Sequence, residues 1–192
     1  MAGDNKEVKM VNTAIFLDRD GTLIEEPEDE VVDSIQKVLV LPNTIPALKL
    51  LVKNEFKLFI ITNQIGISQG RLTIRQFHDI NNHLFRQLEK EGIRIGKTFF
   101  CPHGPNDNCN CRKPKPGMLE EAKRMYGFNL KEAWIIGDRQ TDIQLGKTVG
   151  CKTILVQTGR GLLRKEGAEK PDFTAKDLLD AVKYILNKNS LT

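Results

Sequence analysis

Two aspartates separated by one residue stand directly after a short apolar run near the start of the chain. Asp18 and Asp20 follow the run 14–17 and are themselves followed by Gly-Thr. A run of this length predicts a buried strand, and open α/β sheets bind ligands at the edge where such strands end. Neighbouring carboxylates repel, so they either share a divalent cation or one takes up a proton and acts as an acid. Alone, the segment also fits a strand that runs into an ordinary Asp-Gly turn.

A second apolar run, 58–61, ends in Thr62 and Asn63. A hydroxyl, an amide and the next backbone N–H can together bind a phosphoryl group. The same two residues would also serve as a simple cap for a following helix.

A third apolar run ends in Gly137 and is followed by Asp138 and Asp142. If a helix begins near Arg139, both carboxylates lie close to its N-terminus, where negative charge is favourable. They could be capping residues, but Asp138 would also give Mg²⁺ the further oxygen ligand that a cation held by Asp18 needs.

Positive charge comes from Arg112 and Lys113, which precede Pro114 and Pro116. The prolines stiffen the segment, so Lys113 could point at a phosphoryl oxygen and Arg112 at a second anionic group. Lysines between prolines are also common in solvated loops.

Three thiols and an imidazole lie close together in the sequence, at Cys101, His103, Cys109 and Cys111. Three cysteines and one histidine complete a tetrahedral Zn²⁺ site with no open position, which predicts a structural zinc loop over 101–111. A disulfide between Cys109 and Cys111 is the alternative, but it would be strained and out of place in a reducing compartment.

Strand-like and helix-like segments alternate along the chain. This order predicts a three-layer α/β sandwich, with a parallel sheet between helices, in one domain spanning 1–192 with its core at about 12–187. The predicted strands are 14–17, 57–61, 97–100, 133–136 and 153–156. The predicted helices are 44–54, 73–91 (with Thr73 as N-cap), 116–126, 140–149 and 175–187.

The bulk composition is that of an ordinary globular protein, with 40% hydrophobic and 28% charged residues. The formal net charge is +4, but acids and bases are interspersed, so we expect no nucleic-acid partner. No apolar run is long enough to span a membrane, and the N-terminus lacks a signal-peptide core. We therefore expect a cytoplasmic protein that does not bind membranes, and a monomer, because no heptad pattern demands a partner.

Together these motifs resemble, in order, the four motifs of the haloacid dehalogenase (HAD) superfamily, in its phosphatase branch. The resemblance implies a Mg²⁺-dependent phosphatase in which Asp18 is the nucleophile and forms an aspartyl-phosphate. It makes Asp20 the general acid and base. It also implies Mg²⁺ ligation by Asp18, Asp138 and the backbone carbonyl of Asp20. Phosphoryl binding would fall to Thr62, Asn63 and Lys113, with Asp142 and Arg139 in support.

The cysteine loop followed by Arg112 and Lys113 resembles a small branch of that superfamily, which holds heptose-bisphosphate and histidinol-phosphate phosphatases and lacks a large cap domain. The short gaps after 23 and 64 agree with the missing cap. Segments 64–71, 113–119 and 157–161 resemble the heptose-bisphosphate phosphatases of that branch, and the resemblance implies removal of the 7-phosphate from a heptose 1,7-bisphosphate.

Segment 25–41 departs from the heptose pattern, and its Glu26-Pro27 is more similar to the histidinol-phosphate enzymes. Histidinol-phosphate phosphatase is therefore the alternative, and a non-enzymatic zinc-loop binding module is a third. Arg112, with Arg71 or Arg160, could hold the second phosphate of a sugar bisphosphate through a bidentate fork.

Overall fold

The computed structural model describes residues 13–163 and 167–189. The strands in this part of the chain are β1 (Ala14–Leu17), β2 (Lys57–Asn63), β3 (Lys97–Cys101), β4 (Trp134–Gly137), β5 (Lys152–Val156) and β6 (Phe173–Ala175). They form one parallel sheet in the order β3-β2-β1-β4-β5-β6. The five strands predicted from apolar runs are confirmed, with small shifts at their ends.

The helices are α1 (Thr44–Lys53), α2 (Ile65–Ser68), α3 (Ile74–Lys90), α4 (Gly117–Tyr126), α5 (Gln140–Val149) and α6 (Leu178–Asn189). A short 3₁₀ turn spans Ile35–Lys37. Thr73 caps α3 as predicted: its hydroxyl accepts from the backbone of Gln76, and the Gln76 side chain accepts from the backbone of Thr73.

Side chains of β1 enter two separate hydrophobic cores, one on each face of the sheet. Ile15 and Leu17 pack into the core covered by α1, α3 and α6. Phe16 packs into the other core, which α4 and α5 cover. This alternation follows from the two-residue period of a strand buried on both faces, and it confirms the predicted three-layer sandwich.

The prediction was wrong at the C-terminal helix and at two helix faces. Residues 173–175 form the edge strand β6, and α6 begins only at Leu178. A strand of three residues, of which only Ala175 is buried, carries too little apolar pattern to be recognised. Helical spacing in the sequence places Val52 on the apolar face of helix 44–54 and Ile74 on that of helix 73–91. Both side chains are exposed, because each lies at the margin of the apolar face of its helix.

Between β1 and α1 the only helical element is the 3₁₀ turn, and between β2 and α3 it is α2. These short segments agree with the expected lack of a large cap. In the described ranges no helix has both the length and the apolar character required to cross a membrane.

Candidate active site

The polar residues predicted to meet at one sheet edge do so. Since β1 lies between β2 and β4, Asp18, Thr62 and Asp138 stand at the carboxyl ends of adjacent strands. A cavity of about 690 Å³ opens there, and these three residues and Lys113 are among those that line it.

Lys113 is buried between two carboxylates. Its Nζ donates to Asp18 Oδ1 at 2.7 Å and to the carbonyl oxygen of Ile61 at 3.0 Å, and it forms an ion pair with Asp142 Oδ1 at 2.6 Å. Burial alone would lower the pKa of Lys113, but the charges of Asp142 and Asp18 outweigh it and hold that pKa above its usual range. The ammonium group is therefore a fixed positive charge beside Asp18.

The carboxyl group of Asp18 is buried as well. Burial raises its pKa to about 6, with Lys113 opposing the rise and Asp142 adding to it. At neutral pH the group is mostly ionised, which is the form required of a nucleophile.

The two carboxylate oxygens of Asp138 differ in their hydrogen bonding. Its Oδ2 accepts from the backbone N–H of Arg160 at 2.7 Å, whereas its buried Oδ1 has no hydrogen-bond partner among the described residues. Burial, followed by repulsion from Asp18 and Asp142, raises the pKa of Asp138 to about 9.

Carboxylate oxygens of Asp18, Asp138 and Asp142 all lie within 4.8 Å of one another. A buried oxygen without a partner, placed among further carboxylates, fits a hard divalent cation such as Mg²⁺. Both oxygens of Asp142 already have partners, because Oδ1 pairs with Lys113 and Oδ2 accepts from the backbone of Arg139 at 3.1 Å. Asp142 therefore suits the supporting role predicted for it.

Asp20 lines the same cavity, and its carboxylate is bound by neighbouring donors. Its carboxylate accepts from the Arg19 guanidinium at 2.9 and 3.0 Å and from Gln64 Nε2 at 2.8 Å. Metal ligation through its backbone carbonyl stays a prediction.

Thr62 and Asn63 occupy the end of β2 but have different surroundings. The hydroxyl oxygen of Thr62 accepts from Gln64 Nε2 at 2.8 Å, which leaves its proton free to be donated. The Asn63 amide accepts from the backbone N–H of Lys113 at 3.0 Å and donates to its carbonyl at 3.2 Å. Asn63 thus fixes the backbone that carries the lysine.

The loop after β5 and the turn after β1 both pack closely against Asp138. A Cβ on Gly21 (φ +81°) or Gly159 (φ +50°) would lie 2.4 or 2.3 Å from Asp138 Oδ2, so neither position has room for a side chain. The Thr158 hydroxyl donates to the carbonyl of Gly21 at 2.6 Å and joins the two loops.

Four charged residues form what we call the glutamate–arginine quartet in the wall of the cavity. Glu26 accepts from Arg139 at 2.5 Å and from Arg160 at 3.0 Å. Glu30 accepts from the same two arginines at 3.1 and 2.6 Å, and its own backbone has φ +58°. Both glutamates come from segment 25–41, where the sequence departs from the heptose pattern. The two arginines are therefore already neutralised.

The arginines proposed for a second phosphate are not equivalent. Arg71 lies outside the cavity lining and forms ion pairs with Asp29 at 2.5 Å and Asp33 at 3.1 Å. Arg112 lines the cavity and donates to the carbonyl of His103 at 3.0 Å rather than to a carboxylate. Of the candidates, Arg112 is the one placed to meet an anion in the cavity.

The zinc-loop residues come together as predicted. The Cys101 and Cys109 sulfurs are 3.8 Å apart, and His103 Nδ1 lies 3.6 Å from Cys101 Sγ and 3.3 Å from Cys111 Sγ. Zn–S bonds of about 2.3 Å in a tetrahedron imply sulfur separations of about 3.8 Å. The four side chains therefore fit a structural Zn²⁺.

Sequence reasoning missed Arg19, Gln64 and the two glutamates of the quartet. The motif itself indicates Arg19 only as the spacer between the acids, although an arginine next to a strand buried on both faces must find partners inside the protein. Gln64 directly follows the predicted phosphate-binding pair, and that adjacency was the available signal. The partners of Glu26 and Glu30 are far along the chain, and nothing local indicates them.

A family model described as HAD-hydrolase-like matches residues 110–181. The D-glycero-beta-D-manno-heptose-1,7-bisphosphate 7-phosphatase of Neisseria meningitidis serogroup A is 35% identical over 180 residues, covering 92% of this chain and 96% of that protein. The chain belongs to the HAD-like phosphatases.

Two further matches are to proteins of the branch that holds heptose-bisphosphate and histidinol-phosphate phosphatases. The crystal structure of the D,D-heptose 1,7-bisphosphate phosphatase of B. bronchiseptica, complexed with magnesium and phosphate, has a TM-score of 0.87 and 31% identity and covers 92% of this chain and 99% of its own. The histidine biosynthesis bifunctional protein HisB of Legionella pneumophila is 40% identical over 136 residues, covering 71% of this chain and 39% of HisB. The matches confirm the predicted superfamily, fold and enzyme class, a phosphoric monoester hydrolase.

Proposed function

We propose that this protein is a Mg²⁺-dependent phosphatase that removes the 7-phosphate of D-glycero-D-manno-heptose 1,7-bisphosphate through an aspartyl-phosphate on Asp18. The observation that carries the chemistry is the buried pair of Asp18 and Lys113, next to the unpartnered oxygen of Asp138. The substrate is inferred from relatives of that name that match over most of the chain.

In the first half-reaction an oxygen of ionised Asp18 attacks phosphorus in line and displaces the sugar oxygen. The P–O bond to the sugar breaks as the bond to Asp18 forms, and Asp20 donates a proton to the leaving oxygen. Lys113 offsets the negative charge on the phosphoryl oxygens, and the Thr62 hydroxyl can donate to one of them.

In the second half-reaction Asp20 accepts a proton from water, which attacks phosphorus and releases Asp18 together with inorganic phosphate. Asp18 and Asp138, with the backbone carbonyl of Asp20, would hold Mg²⁺, which supplies further charge neutralisation when bound. The zinc loop would be structural and fix the segment that carries Arg112 and Lys113.

The second phosphate of the bisphosphate would contact Arg112. Among the cavity residues named here, Lys113 is committed to Asp18 and Asp142, while Arg139 and Arg160 are committed to the quartet. Within residues 13–163 and 167–189, the Arg112 side chain donates only to the carbonyl oxygen of His103, so it keeps other N–H groups for an anion.

Histidinol phosphate is the alternative substrate, and the quartet is the observation that favours it. Glu26 and Glu30 neutralise Arg139 and Arg160, so these two arginines offer no net positive charge to the second phosphate that the bisphosphate carries and histidinol phosphate lacks. The HisB match points the same way but spans 39% of that bifunctional protein.

A substrate panel decides between these. We expect the highest kcat/KM for one of the two anomers of the heptose bisphosphate, and a higher value for histidinol phosphate would overturn the substrate assignment. Absence of Mg²⁺-dependent hydrolysis across a broad ester panel would favour the third possibility, a non-enzymatic zinc-loop module. The assembled aspartates and Lys113 argue against that module.

The partner of this protein is then a small phosphate ester, and we propose a monomer in the cytoplasm. Three reduced thiols around zinc require a reducing compartment, since oxidation would remove the ligands.

A further inference from the structure

Arg19, the residue between the two catalytic aspartates, is fully buried and has no part in the chemistry above. Burying a guanidinium is costly unless its donors are matched, so its surroundings show what holds it. Its carbonyl oxygen accepts from the backbone N–H groups of Leu23 and Ile24 at 2.9 and 3.1 Å, which fixes the turn that carries Asp20.

The guanidinium binds the Asp20 carboxylate through two parallel hydrogen bonds, a bidentate arrangement called the fork below. Arg19 Nε lies 2.9 Å from Asp20 Oδ1, and Nη2 lies 3.0 Å from Oδ2. Gln64 Nε2 donates to the same Oδ2 at 2.8 Å. A fork of this kind fixes the plane of a carboxylate as well as its position, which a single donor does not do.

The arginine is in turn anchored to α3. Its Nη1 donates to Asn81 Oδ1 at 3.2 Å, its Nη2 donates to Gln64 Oε1 at 3.0 Å, and its carbon Cζ lies 5.3 Å from the ring centre of Phe77. The Asn81 amide is itself held by a bond to the carbonyl of Phe77 at 3.0 Å. Through the buried side chain of Arg19, the orientation of Asp20 therefore depends on the position of α3.

We propose that Arg19 is a positioning residue that holds the Asp20 carboxylate in the orientation needed to protonate the leaving oxygen. This inference rests on the proposed role of Asp20 as the acid. Without the fork, rotation about the two side-chain torsions of Asp20 would move its oxygens away from that oxygen. Proton transfer requires heavy atoms within hydrogen-bond reach, so the loss falls on the step that needs an acid.

The test compares two esters with each variant. Arg19→Met keeps most of the buried volume and removes the fork. For the alkyl phosphate that the unaltered enzyme hydrolyses fastest, we expect kcat/KM to fall on the order of 10²-fold, because an alkoxide needs protonation. For p-nitrophenyl phosphate, whose leaving group needs no acid, we expect a fall of no more than about threefold. An equal fall for both esters would overturn the proposal.

Because both values come from one preparation, partial unfolding lowers them by the same factor and leaves their ratio unchanged. Arg19→Lys keeps the charge but offers no fork, and it should give an intermediate ratio. Thr153→Val is the matched control: it removes a buried hydroxyl that bonds Asp172, away from Asp20, and should not alter the ratio. If Arg19→Met does not fold, Asn81→Ala is the second variant, because it removes one hydrogen-bond partner of Arg19. It should shift the ratio of the two kcat/KM values in the same direction, and an unchanged ratio counts against the proposal.

Asp20→Asn in the same assay separates the two claims. If Asp20→Asn slows the alkyl ester selectively and Arg19→Met does not, the inference about Arg19 is wrong and the proposed function stands. If Asp20→Asn slows both esters equally, the proposed role of Asp20 is itself wrong.

Discussion

Lys113 Nζ lies 2.7 Å from Asp18 Oδ1, and both side chains are almost fully buried. The lysine also pairs with Asp142, so one cation stabilises two almost fully buried carboxylates that would otherwise repel each other. The same cation faces the position where the transferring phosphoryl group would sit. Stability and catalysis therefore depend on one charge.

Replacing Lys113 with Met should lower both the stability and the activity of the protein. Removing one partner of a buried ion pair costs roughly 3–5 kcal/mol, so the free energy of unfolding should fall by about that amount. The value of kcat should fall on the order of 10²-fold or more, because a charge that stabilises the transition state is lost. Urea unfolding and steady-state kinetics measure the two effects.

Lys123→Met, which removes one exposed positive charge from α4, is the control and should change neither quantity by much. Adding Asp142→Asn to Lys113→Met should recover part of the stability, since one unpaired carboxylate is removed, but not the activity. A Lys113→Met enzyme with normal kcat would contradict this account.

Mg²⁺ binding should strengthen with pH and release a proton. Burial and the charges of Asp18 and Asp142 raise the pKa of Asp138 to about 9 in the metal-free protein, so the cation must displace a proton at neutral pH. Between about pH 6 and about pH 9 the affinity should rise by up to about tenfold per pH unit. Titration calorimetry in buffers with different ionisation enthalpies would count the proton.

The same raised pKa has a consequence for stability. The folded pKa of Asp138 lies above its ordinary value of 3.8, so folding favours the protonated form. This group therefore destabilises the metal-free protein progressively as pH rises from about 4 to about 9, and Mg²⁺ should stabilise most at the upper end. Mg²⁺ affinity independent of pH across this range would count against the carboxylate cluster as the metal site.

Gly159→Ala should weaken Mg²⁺ binding. The new Cβ would lie 2.3 Å from Asp138 Oδ2, so the loop must move and the Arg160 N–H that orients Asp138 is disturbed. We expect the Mg²⁺ concentration for half-maximal activity to rise roughly tenfold, as for loss of a group that orients a metal ligand. Gly127→Ala is matched in backbone conformation, with φ +71° and no neighbouring atom within 4 Å. It should lower stability without changing the Mg²⁺ requirement, and an equal rise in both variants would refute the role of the loop.

Purified protein should contain about one Zn²⁺ per chain. Cys109→Ser removes one ligand and should lose the metal, lower the melting temperature and raise KM, because the loop leads into Arg112 and Lys113. Cys151→Ser, which alters a buried thiol outside the cluster, should keep its zinc. Metal analysis and thiol titration check this, and a zinc-free protein with four reactive thiols would refute the site.

The sheet and the meeting of the aspartates could be predicted because each strand is a short apolar run, and parallel strands end at the same edge. The Asp18, Thr62 and Asp138 positions follow from that rule without knowledge of any contact. The edge strand β6 could not be predicted, since three residues, of which only one is buried, leave no period to detect.

The orientation of the side chains could not be predicted either. Whether Asp20 faces the metal cluster or Arg19 depends on Asn81 and Gln64, which approach it only after α3 and β2 are packed. The quartet likewise joins segment 25–41 to Arg139 and Arg160, which are far away in the sequence. The sequence alone therefore indicates two free cationic side chains, whereas in the folded protein both belong to neutral ion pairs.

The central claim is that Asp18 becomes phosphorylated during turnover. Acid quenching under single-turnover conditions, followed by borohydride reduction and peptide mapping, locates an acyl phosphate on one residue. We expect the label on Asp18, and we expect Asp18→Asn to show no label and to lose activity by on the order of 10³-fold or more while keeping its fold and zinc. Turnover with no label on Asp18, or an Asp18→Asn enzyme with near-normal activity, would contradict the mechanism.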